Sequence, residues 1–330
     1  MMKQNINLTA IALLAAIGTN TAHAEDINFS GKIFFDYSAK ENNGVKSTGG
    51  DITRTYLTAA KKLDDTWSAK VTFDSALNKT ATGKKNEVFL KIAQLTGKFS
   101  DQANIKLGMI GTPWIGYADG LNGHRYIAKS YVDSHGLDAS ADAGIGAFGK
   151  VMDGLVSYDV VMVNGGGYGN TTATDATDIN ARIGMNIEKN ITLDVGLRNG
   201  YKGSKGGASE TKSTLFQVLA TYSNEVSNLN YRAGLNLISS KKSPTGGAST
   251  TDSAQEMWIA ARQGKLGGFV RIENTSFDAA PKSETRLLLS ADYFATKDVT
   301  LSLVSDTISN VAGAVGAKKT SIGMYSQFKF

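Results

Sequence analysis

From residue 27 onward, apolar and polar residues alternate in short segments separated by turn chemistry, repeating at intervals of roughly twenty residues. In 27–38, Ile27, Phe29, Ile33, Phe35 and Tyr37 share one face and Asn28, Ser30, Lys32 and Asp36 the other, with Phe34 as the misfit. In 52–61, Thr53, Thr55, Leu57 and Ala59 oppose Arg54, Tyr56 and Thr58. In 67–77 the period of two is clean, with Trp67, Ala69, Val71 and Phe73 against Ser68, Lys70, Thr72 and Asp74. The pattern recurs over 88–96, 105–110, 142–150, 155–163, 179–187, 191–201, 214–222, 229–239, 256–263, 268–274, 285–294, 299–305 and 320–330, which makes sixteen predicted strands.

The connections alternate too. Short turns at 63–66, 188–190, 224–228 and 295–298 take turns with longer polar stretches at 40–50, 78–86, 165–178, 202–212, 241–253 and 310–319. Short at one end and long at the other is the pattern of an up-and-down meander whose ends face different compartments. The apolar faces carry almost no charge, whereas the opposite faces carry Lys32, Arg54, Lys70, Asp74, Asp194, Arg198, Arg232, Arg271, Glu273, Arg286 and Asp292. A soluble barrel this wide would have to fill its interior with large apolar side chains. Strands of about ten residues suit a tilted membrane crossing, so the expectation is lipid outside and water inside. The fold class is therefore all-β, a transmembrane antiparallel up-and-down barrel. Eight-stranded barrels fill their interior and those of about sixteen leave an aqueous channel, so a pore is expected.

One stretch breaks the alternation. Residues 112–140, TPWIGYADGLNGHRYIAKSYVDSHGLDAS, follow the fifth predicted strand, and at about thirty residues they exceed an ordinary connection. Trp114, Ile115, Tyr117, Leu121, Tyr126, Ile127, Tyr131 and Val132 give this loop apolar material to bury, which argues for order.

The first residues carry Lys3, an apolar run over 8–17 and a small-x-small ending at 22–24, the layout of a secretory signal peptide cut after Ala24. The domain organisation expected is signal peptide 1–24 and barrel 25–330, with export through the periplasm to the outer membrane. No later apolar run approaches the length of a helical span. Cysteine is absent, so neither disulfides nor thiolate metal sites are available. There are 36 glycines against 3 prolines, which suits many strands joined by turns and excludes collagen. The net charge of +5 is spread too evenly for a nucleic-acid footprint. Alternation persists to a terminal phenylalanine over Ile322, Met324, Phe328 and Phe330, which resembles the strand signal read by the barrel assembly machinery of bacterial outer membranes.

The strands ITRTYLTAAKKLDDTWSAKVTFDSAL (52–77) and VFLKIAQLTGKFSDQANIKLGMIGTPW (88–114) resemble the Gram-negative outer-membrane porins, including the phosphate-selective group. An Arg-bearing strand, a short turn with an aromatic, an acidic strand end and an LG-containing strand before a long loop recur there in this order. The match is strongest over 51–169. The resemblance implies sixteen strands, a homotrimer in outer-membrane lipid, and a third loop folded inward to narrow the pore, a position that 112–140 would fill. The phosphate-selective members carry a basic cluster in that loop. Here it holds only Arg125 and Lys129 beside Asp119, Asp133 and Asp138.

Charged side chains in a confined passage select ions by sign. The candidates for the constriction are Asp119, His124, Arg125, Lys129, Asp133 and His135, faced by Lys32, Arg54 and Lys70 on the pore wall. Each could equally serve to salt-bridge the loop to the wall. The aromatics Trp114, Tyr117, Tyr126 and Tyr131 could stack sugars or pack the loop. Residues 144–149 satisfy G-x-G-x-x-G, yet a strand pattern follows where a dinucleotide site needs a helix. His124 and His135 lack the close spacing of a metal pair, and no predicted strand contains a histidine for hydrolase chemistry. The expectation is no enzyme, no cofactor and no metal. The function expected is passive diffusion of small hydrophilic solutes and ions, with weak anion or mixed preference. The other class left open is a surface-exposed adhesion or structural barrel that uses its long loops.

Overall fold

A computed structural model describes residues 27–80, 83–207 and 209–330. The predicted signal peptide lies outside the described residues. Sixteen strands run in chain order: β1 (Ile27–Asn42), β2 (Val45–Lys62), β3 (Trp67–Thr80), β4 (Gly83–Lys98), β5 (Asn104–Gly111), β6 (Ala141–Val151), β7 (Val156–Val163), β8 (Asp178–Glu188), β9 (Ile191–Gly200), β10 (Thr211–Val226), β11 (Leu229–Pro244), β12 (Thr250–Gln263), β13 (Leu266–Ser276), β14 (Glu284–Phe294), β15 (Val299–Ser309) and β16 (Lys318–Lys329). Each pairs antiparallel with its chain neighbours, and β1 pairs with β16 to close the ring. Among the described residues no helix is long and apolar enough to cross a membrane.

The burial pattern is inverted relative to a soluble protein. Along β12 and β13 the exposed side chains are Met257, Ile259, Val270 and Ile272, and the buried ones are Glu256, Trp258, Arg271 and Glu273. Ile259 is 58% exposed and Arg271 1%. Apolar residues exposed at every second position around a closed ring suit hydrocarbon, and the charges belong to the interior.

Phe34, the misfit in the first predicted strand, is 4% exposed and faces inward, where it packs on Tyr56 of β2 and on Tyr126. A break in the ladder beside it, between Phe34 and Phe35 opposite β2, accompanies this placement.

Several expected long loops are strand instead. The 40–50 stretch continues β1 and β2 to a two-residue turn at Asn43 and Gly44, whose φ values of 50° and 84° are those of a tight hairpin. Only asparagine, aspartate and glycine take that conformation readily, so the Asn-Gly pair marks the turn. Likewise β3 runs on to Thr80, and β11 and β12 reach Pro244 and Thr250. Polar residues can extend strands beyond the lipid because no apolar face is needed there.

Ile259→Arg, near the middle of the β12 apolar band, should destabilise the barrel by about 2–4 kcal/mol in bilayers, measured by reversible denaturant unfolding. The expected loss for the same change at the turn residue Lys265 is within about 1 kcal/mol.

Candidate functional site: the passage beside the inner loop

Residues 112–140 leave the wall after β5 and return at β6. Thr112 ties the neck, its N–H donating to the Ser140 carbonyl at 3.2 Å and its hydroxyl to the Ala139 carbonyl at 2.5 Å. Two short helices form inside the segment, α1 (Ile115–Asn122) and α2 (Tyr131–Ser134). Gly123, with φ of 74°, ends α1 in the left-handed conformation that glycine adopts without strain. Arg232 of β11 donates to the Asn122 carbonyl at 3.1 Å, placing a cation at the negative end of the helix.

The segment's apolar residues supply the core that the barrel otherwise lacks. Trp114, Ile115, Ala118, Tyr131 and Val132 pack on Leu215, Leu219, Ile238 and Ala254 of β10–β12. Leu121, Ile127 and Ala128 lie against Trp258, Ala260, Phe269 and Leu288. Tyr126 joins Phe34, Val304 and Tyr325. Polar anchors reach other strands: the Tyr117 hydroxyl donates to Asp194 of β9 at 2.8 Å, and the Asn180 amide of β8 donates to Asp138 at 2.9 Å. Contacts on β1, β8 through β15 and β16 of one closed ring place the segment inside it. It leans on that side and leaves a passage beside β1–β4.

The passage has a volume of about 680 Å³. Its wall side includes Lys32, Phe34, Tyr56, Lys91 and Lys329, and its loop side Gly116, Asp119, Gly120, Arg125 and Asp133. A Cβ added at Gly111, Gly116 or Gly120 would meet nothing within 4 Å, so the space before them is open. Arg125 bridges Asp119 through Nε and Asp133 through its terminal nitrogen, each at 3.2 Å, and Lys129 reaches Asp133 at 2.8 Å. Burial pushes the Asp119 carboxyl up, and Arg125 opposes that shift. A second cavity of about 430 Å³ lies between Arg54, Arg125, Tyr126 and Lys129 and the β1 residues Asp36 and Lys40, so Arg125 fronts both.

The structure thus brings Asp119, Arg125 and Asp133 together with Lys32 at the passage, and Arg54 and Lys129 to its neighbour. Arg54 is held by Asp74 at 2.9 Å. Lys70 is exposed on β3 but lines neither space. The histidines are placed as anchors. His124 is stacked on Phe269 with centroids 4.1 Å apart, its Nε2 2.9 Å from Asp292 and its Nδ1 2.8 Å from the Asn122 carbonyl. His135 stacks on Tyr131 and lies 3.1 Å from Glu284. They bond to separate carboxylates of β14, and Asp133 is engaged by Arg125 and Lys129. Among the described residues no group of three or more His, Cys, Asp or Glu could hold a metal.

Tyr56, Lys91, Lys329 and the loop glycines are passage residues that alternation does not single out. Lys91 lies at a β4 irregularity where Thr72 and Phe73 of β3 pair with Ile92 and Leu90, so Lys91 and Ile92 both line the passage. Lys329 stands directly opposite Lys32, which shows only once the closing register of β1 on β16 is known. Gly116 and Gly120, four apart, are a helix-face spacing that the sequence does display.

No protein-family model matches the sequence, and no characterised protein matches it by sequence. Solved structures do match by shape. An anion-selective porin from Comamonas acidovorans superimposes with a TM-score of 0.65 at 12% identity, over 92% of this chain and 99% of that one. OprB from Pseudomonas putida gives a TM-score of 0.69 at 11% identity, over 98% and 96%. The fold is that of the Gram-negative outer-membrane porins. OmpT from Vibrio cholerae, solved in a trimer form, gives 0.60 at 11% identity, over 92% and 99%.

Two outcomes test how the loop is held. The Trp114 ring covers Gly196 of β9, where a Cβ would stand 2.3 Å from a ring carbon. Gly196→Leu should therefore dislodge Trp114 and lower stability by about 1–3 kcal/mol, with a red-shifted Trp114 emission in a background lacking Trp67 and Trp258. The Asp138 carboxyl, buried near Arg198 at 3.6 Å, is pushed up to about 6 from 3.8 by burial, with Arg198 opposing. Between those values the folded protein keeps a proton that the unfolded chain releases, so this group's contribution to stability falls as pH rises through that window. Asp138→Asn should gain thermal stability relative to the parent between pH 4 and 7.

Proposed function

We propose that the barrel is a water-filled channel of the outer membrane, through which small hydrophilic solutes and ions diffuse passively, with a weak preference for anions. The observation that carries this is the open passage beside the loop, a gap that glycine backbone borders and no side chain fills. A sixteen-strand ring leaves an aqueous interior unless something plugs it, and the inner loop narrows this one on one side only. Lys32, Lys91, Lys329 and Arg125 line the passage against Asp119 and Asp133, so cations outnumber carboxylates. Within a confined, low-dielectric channel that excess favours anions. The porin fold and a trimeric neighbour support assembly as a homotrimer, reached after export through the periplasm.

Purified protein in planar bilayers should form open channels at low voltage; a silent bilayer would sink the proposal. Gly120→Trp places an indole in free space and should cut single-channel conductance at least twofold with the barrel intact by circular dichroism. Lys32→Glu combined with Lys329→Glu should move the zero-current potential in a salt gradient towards cations.

A further inference from the structure

The passage holds an arrangement that neither packing nor simple charge balance explains. Lys329, Lys32 and Tyr56 lie in one row across β16, β1 and β2, as successive register partners. Like charges directly opposite on adjacent strands destabilise a sheet. Among the described residues neither Lys32 nor Lys329 forms an ion pair, whereas Arg54, Lys91, Lys106, Arg125, Arg182, Arg198, Arg271 and Arg286 all do. Among the described residues Lys70 is unpaired too but lies away from the passage, which Lys32 and Lys329 both border.

Beside them the wall turns aromatic. Tyr56 borders the passage with the Phe34 ring edge-on to it at 5.7 Å, and the Lys91 ammonium sits 4.8 Å from the Tyr56 centroid. Across the gap stands the bare face of α1 at Gly116 and Gly120, so the space is a slot between aromatic edges and backbone. Tyr56 is the register partner of Lys32 on the next strand, so an anion held at the lysine pair has an aromatic side chain at the adjoining position.

We propose that this slot binds small organic monoanions bearing a flat ring, the carboxylate between Lys32 and Lys329 and the ring against Tyr56 and Phe34. It rests on the assignment of the passage as the solute path, and names the solute class that the path retains. An inorganic anion or acetate meets the lysines alone. A ring adds an aromatic contact to the same charge pair, which favours it by roughly three- to tenfold.

The test uses benzoate, cyclohexanecarboxylate and acetate on the full protein in detergent, read by saturation-transfer NMR, which needs no conduction. Benzoate should bind at least threefold more tightly than acetate, with cyclohexanecarboxylate between them. Tyr56→Leu should abolish benzoate's advantage and leave acetate unchanged. Lys32→Gln with Lys329→Gln should weaken both carboxylates at least fivefold, and heat-modified migration on gels verifies that each variant is folded. Equal binding of benzoate and acetate to the parent would overturn the proposal, as would an undiminished benzoate advantage in folded Tyr56→Leu. Benzoate binding by a protein silent in bilayers would uphold the slot and remove the channel function alone.

Discussion

Closure of the ring governs everything else in this molecule. In hydrocarbon no water is at hand for unpaired N–H and C=O groups, so a sheet can cross only if its last strand meets its first. Here β1 and β16 pair over an eleven-residue register from Lys32 with Lys329 to Asn42 with Lys319. Once the ring is closed, each strand has one face towards lipid and one towards a shared interior. The inversion of burial follows directly, with Ile259 and Val270 outside and Arg271 and Arg286 within.

An interior that wide poses a problem of its own. Buried charges must be paired, and the wall does this with bridges such as Arg198 to Asp178 at 2.6 Å and Arg286 to Asp306 at 2.7 Å. The rest is solved by residues 112–140, which bring Trp114, Ile115, Tyr131 and Val132 against the apolar inner positions of β10–β12. The loop therefore acts as the hydrophobic core of one half of the barrel and as the boundary of open space in the other.

Much of the architecture was legible because a period of two has only one structural meaning when it persists through a chain. All sixteen predicted segments fall on strands, and the break at 112–140 falls between β5 and β6. The strand tips were less legible, since beyond the membrane no apolar face is required and polar strand resembles polar loop. The Asn43-Gly44 turn shows that the missing signal was turn chemistry. At the passage, the sequence displays charge but not register: Lys32 and Lys329 are 297 positions apart and become neighbours only through closure. His124 and His135 look like solute-facing groups in the sequence, whereas their stacking on Phe269 and Tyr131 makes them fasteners of the loop.

The attachment of this loop also ties it to the far end of the chain. His124 bonds to Asp292, Tyr126 to Ser302 and His135 to Glu284, partners 149 to 176 residues further along the chain. Those anchors do not exist until β14 and β15 have joined the wall. The width of the passage thus depends on strands that do not themselves border it.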